Sequence, residues 1–143
     1  MRFMIILKAN EENETGEPPD SVEVAAMGRF NEQMMDAGIL LAMEGLKGSD
    51  KGARVKFDKP GRTTVIDGPF AEAKELVAGF WLIRVDSLAD ALSWARRAPM
   101  RAGAELEVRQ VQEVSDFESN ELTAEHLRIE QEFRDATMRP IGK

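Results

Sequence analysis

The run VIDGPFAEAKELVAGFWLIRV at positions 65–85 constrains the fold more than any other part of the chain. It opens as an extended apolar segment, breaks at Asp67-Gly68-Pro69, and resumes as a second extended apolar segment. A connection that only reverses the chain needs about two to five residues. This one is longer, and it sets Phe70, Glu72, Lys74 and Glu75 in a fixed order between two strands. It therefore reads as both a topological joint and a candidate site.

The flanking sequence supplies the remaining elements. The segment 2–8 (RFMIILK) is apolar between polar neighbours and reads as a buried strand. Positions 9–20 are polar, with Gly16, Pro18 and Pro19, and read as a loop. From Ser21, taken as the cap, Val22, Ala25, Ala26, Phe30, Met34 and Ala37 recur at helical spacing up to the stop at Gly38. A strand follows at 39–46. A hairpin is expected from 53–58 and 62–66 around Lys59-Pro60-Gly61. After the 67–77 loop, whose AEAKEL core suits a short helical turn, come a strand at 79–85, a helix at 88–98 ahead of Pro99, and a strand at 105–111.

The order β-α-β-β-β-β-α-β, with its middle hairpin treated as an insertion, predicts an α+β fold of the ferredoxin-like split βαβ type. Two helices then cover one face of the antiparallel sheet. The other face needs cover, and a second copy is the simplest one. Trp81 and Phe57, with the apolar residues alternating with them, are expected on that face. The predicted organisation is a domain over 1–114 and a charged helical tail over 115–143. The tail helix is expected at 123–137, with Leu122, His126, Ile129, Phe133 and Ala136 forming the stripe that packs on the body or on a partner.

Composition excludes several classes. The chain of 143 residues suits one domain, and its absence of cysteine rules out disulfides and thiolate chemistry. No apolar run approaches the roughly 20 residues of a membrane span, so no membrane association and a cytoplasmic location are expected. A net charge of −7 argues against nucleic acid as a partner. No phosphate loop, nucleophile elbow or dinucleotide fingerprint is present, and no carboxylate spacing resembles a cation loop. No cofactor and no metal are expected.

With these residues in view, the segment 65–99 resembles the signature of the DGPF branch of the YCII-related family. Asp67, Gly68, Pro69, Phe70, Ala71, Glu72, Lys74 and Glu75 match its usual DGPFAETKE run, with Ala73 in the place of threonine. The opening MRFMIILK, the MEGL at 43–46 and the closing ELEVRQV extend the resemblance over roughly 1–112. The resemblance implies a dimeric α/β barrel. In the family some members stand beside or are fused to sigma factors, and some smaller ones are thought to be enzymes with a His–Asp pair. The single histidine here, His126, lies in the tail outside the resemblance.

Two functional classes follow. In the first, the chain binds a small molecule, and acts on it by carboxylate acid/base chemistry, in a cleft beside the DGPF loop. Asp67 is then the acid/base candidate, with Glu44, Phe70, Glu72, Lys74, Glu75 and Trp81 as ligand-binding candidates. In the second it is a non-catalytic homodimer that regulates, or meets a protein partner such as a sigma factor. Asp67 as a plain turn cap, and Glu72, Lys74 and Glu75 as a solvated turn, fit the second class. An Asp67 buried in a concave pocket favours the first; a solvated Asp67 favours the second.

Overall fold

The computed structural model describes residues 1–142, and of Lys74 the backbone alone. Six strands and four α-helices run in the order β1 (Arg2–Lys8), α1 (Glu11–Glu14), α2 (Ser21–Asp36), β2 (Leu40–Gly45), β3 (Ala53–Lys59), β4 (Arg62–Asp67), β5 (Val77–Arg84), α3 (Leu88–Ala95), β6 (Leu106–Gln110) and α4 (Ala124–Thr137). The architecture is α+β. Four strands form one sheet in the order β2-β5-β1-β6 with every neighbouring pair antiparallel, and β3 and β4 form a separate two-stranded sheet. No helix among the described residues is long and apolar enough to cross a membrane.

The core lies between the four-stranded sheet and helices α2 and α3. Phe3 and Ile5 of β1, Trp81 and Ile83 of β5 and Leu40 of β2 meet Phe30 and Met34 of α2 and Ala91 and Ala95 of α3. Leu106 and Val108 of β6 pack against the same cluster, as their alternation predicts. Trp81 stands edge-on to Phe30 at 5.7 Å, and its Nε1 donates to Asn31 Oδ1 at 2.8 Å. Trp81 therefore belongs to the helix-covered face, which corrects its expected place on the open face. Strand side chains alternate, so one position decides the side. The neighbours Phe80 and Leu82 point the other way.

Two local expectations also change. The cap of α2 is Asp20, not Ser21: its side chain accepts from Glu23 N while Glu23 closes back on Asp20 N, a reciprocal capping box. The polar stretch 9–20 is not wholly loop, because Asn10 and Asn13 cap each other in the same way around the one-turn helix α1. Gly38, at a φ of 68°, ends α2 as expected.

The tail returns to the body. Arg2 holds Glu113 in a two-pronged ion pair, a 3-10 turn at Val114–Asp116 follows, and α4 lies back against the sheet end. Arg84 Nη2 donates to the Met138 carbonyl at 3.1 Å, and Ile141 N donates to the Leu40 carbonyl at 2.7 Å. The stripe that turns inward is Leu127, Gln131 and Arg134 of α4, with Met138 at its C-cap. The expected stripe does not pack on the body of its own subunit: Leu122 is 84%, Ile129 50% and Phe133 63% exposed, and His126 and Ala136 also lie outside. Arg134 occupies an inward position because Glu130 pairs with it at 3.1 Å, which a reading of apolar spacing alone passes over.

Candidate functional site

The DGPF run forms the root of an arm. Strands β3 and β4 pair from Ala53 opposite Asp67 to Lys59 opposite Arg62, and every residue in them is exposed. At about 3.3 Å per residue the seven residues of β3 reach some 23 Å from the body. One face of the arm carries Val55 directly across from Val65, and Phe57 across from Thr63. Phe57 is 83% exposed.

The root is closely built. Gly68 N donates to the Gly52 carbonyl at 2.9 Å, closing the two strands at their base. A Cβ on Gly68 would lie 1.8 Å from the Ser49 carbonyl oxygen, so glycine is required there by space. Ser49 links three segments. Its Oγ donates to Glu14 Oε2 at 2.6 Å and accepts from Phe70 N at 3.0 Å, while Ser49 N also donates to the Glu14 carboxylate. The Arg54 guanidinium sits over the Phe70 ring at 3.9 Å. Glu14, Ser49 and Arg54 were missed by sequence reasoning. Glu14 and Ser49 are separated by 35 positions, and no local pattern joins them.

The expected site residues do not form an enclosed cluster. Asp67 ends β4, and Glu44 lies near the end of β2; both are exposed. Glu72 precedes a 3-10 turn at Ala73–Glu75 that has no side-chain cap, and Glu72 and Glu75 are exposed. Among the described residues none of these four carboxylates accepts a side-chain hydrogen bond or joins an ion pair. Asp67 is thus solvated in the subunit rather than buried in a concave pocket, and it does not cap the turn either. The expectation for Lys74 falls on a side chain outside the described residues. Phe70 is half-buried under Arg54, and Trp81 is committed to the core. Among the described residues no His, Cys, Asp and Glu group is arranged to hold a metal ion.

The open face of the sheet is the second prominent surface. Register places Ala42, Leu82, Met4 and Arg109 in one cross-strand row, and Glu44, Phe80, Ile6 and Glu107 in the next. The centre is apolar and the edges are charged. Lys8 reaches Glu107 at 3.8 Å. Gly79 lets β2 and β5 approach closely, since a Cβ there would stand 2.8 Å from the Glu44 carbonyl oxygen.

Comparison with known proteins agrees with this frame. The family model described as YCII-related domain matches residues 1–115, which span the four-stranded sheet, the arm and helices α1 to α3. An uncharacterized protein of Rhizobium meliloti (strain 1021) is 58% identical over 36 residues, 25% of this chain and 29% of that protein. The match therefore spans less than a third of that relative's length.

Proposed function

The chain belongs to the YCII-related family, and on that premise we propose that it is a homodimeric, non-catalytic interaction module. The observation that carries this reading is the arm. A two-stranded hairpin alone in water is marginally stable, and this one exposes Val55, Phe57 and Val65 on one face. Such a surface gains stability by meeting another. The open sheet face supports the same reading. The strand order β2-β5-β1-β6 supports a ferredoxin-like reading of the sheet, in which two such faces packed together would make a dimeric α/β barrel.

Acid/base catalysis is the weaker reading. A carboxylate is tuned for proton transfer by burial or a close charged neighbour, whereas Asp67, Glu72 and Glu75 stand in solvent. A small amphipathic ligand remains compatible with the proposed barrel, whose walls would carry Phe80, Ile6 and Glu44. A further protein partner, such as a sigma factor, would meet the exposed arm.

Sedimentation of Ile6→Glu tests the face. The variant should sediment as a monomer with an unchanged circular dichroism spectrum, while the native chain sediments as a dimer. A folded Ile6→Glu that still dimerises would remove the sheet face from the interface.

A further inference from the structure

A small crevice of about 110 Å³ lies where α4 crosses the end of the sheet, lined by Arg2, Arg84, Glu113, Arg134 and Asp135. It gathers three guanidinium groups and two carboxylates, and Glu130 pairs with Arg134 from beside it. Arg2 and Arg84 are direct cross-strand partners in β1 and β5. Like charges so placed repel unless something between them compensates. Glu113 compensates Arg2, accepting from Nε and Nη2 at 3.0 Å each, and its charge also reaches Arg134. Arg84 has the Met138 carbonyl, a neutral acceptor.

Arg134 adds the second observation. Its Nη2 donates to Glu130 at 3.1 Å, but its Nη1 is buried with no hydrogen-bond partner among the described residues. A buried donor without a partner is costly, and a bound ion or water is one of the ways native proteins satisfy such a group. Asp135, the other carboxylate in the crevice, accepts from Gln131 Nε2 at 2.8 Å.

The geometry points to a binding site for a small oxyanion, held by Arg84 and Arg134 with Arg2 beside them. Guanidinium forks match the paired oxygens of both a carboxylate and a phosphate. The crevice volume suits one such group rather than a nucleotide. Because β1, β5 and α4 each contribute an arginine, occupancy would clamp the tail helix to the sheet. This site is separate from the arm; Arg2 and Arg84 stand one cross-strand row beyond Met4 and Leu82, at the end of the open face that α4 crosses.

Thermal unfolding of the full chain in sodium phosphate, sodium acetate and sodium chloride at matched ionic strength tests it. Matching ionic strength removes simple screening. The midpoint should be higher in phosphate than in chloride, because a ligand of the native state stabilises it. Arg134→Gln should show a clearly smaller rise. Arg128→Gln, on the exposed side of the same helix, should keep it, which separates binding from the general effect of phosphate on protein surfaces. A rise in acetate as well identifies a carboxylate as an equally acceptable ligand; a rise in phosphate alone restricts the site to phosphoryl groups. Equal midpoints in phosphate and chloride, or the same rise in Arg134→Gln as in the native chain, would overturn the proposal.

Discussion

Arg2 and Glu113, 111 positions apart, close the chain on itself: Nε and Nη2 of the guanidinium donate to the two carboxylate oxygens at 3.0 Å each. Arg2 is 7% exposed, so this is one of the few charged groups the fold buries. The hydrogen bonds from Arg2 hold the Glu113 carboxyl below its ordinary value. A depressed carboxyl contributes stability that is fully present above the unfolded value of about 4.3 and lost as pH falls through the folded one. Glu113→Gln should therefore lower the midpoint at neutral pH and flatten the acid limb of the stability profile. A parallel acid limb in the variant would show that Glu113 carries none of it.

Gly68→Ala should disrupt the root of the arm. Its Cβ would meet the Ser49 carbonyl at 1.8 Å, against backbone that cannot swing aside as a side chain would. The expected outcome is a cost of about 1–3 kcal/mol, as for other forced overpacking. Amide exchange should quicken across 49–70 more than in the sheet core. Native-like exchange at Phe70 N would contradict the described root.

Trp81 separates packing from hydrogen bonding. Trp81→Ala should cost about 3–5 kcal/mol, since the ring fills the space between β5 and α2. Trp81→Phe retains much of the packing but deprives Asn31 of its donor, and a smaller loss is expected. Chemical denaturation ranks the two. Equal losses would mean the bond to Asn31 matters more than the ring.

The contrast between Trp81 and Phe80 shows what was legible in the sequence. Periodicity located β5 and the remaining strands of the sheet within a few residues. Which side of β5 faces the helices was not legible, because Phe80, Trp81, Leu82 and Ile83 form an unbroken apolar run. The Asp20 capping box was legible in the spacing of Asp20 and Glu23, and Ser21 next to it is an equally acceptable capper by type. On α4 the apolar stripe of Ile129 and Phe133 turns away from the body of its own subunit. Arg134 and Gln131 turn inward through pairing with Glu130 and Asp135, which hydrophobic spacing does not register. The DGPF run was visible as a unit. Its anchoring by Glu14 and Ser49 depends on tertiary contacts that no local pattern encodes.

Phe57→Asp should leave the isolated subunit nearly as stable as before, within about 0.5 kcal/mol, because the ring is 83% exposed there. If the arm meets a second copy, the same change should weaken association by at least tenfold. A concentration series in analytical ultracentrifugation reads this directly. Unchanged association would place the arm outside the interface.

The mass of the native chain in solution tests the central claim most directly. Light scattering on the full chain at micromolar concentration should return twice the subunit mass of 16.0 kDa. A mass of one subunit across that range would contradict the homodimer, and with it the reading of the arm and the open sheet face as surfaces of association.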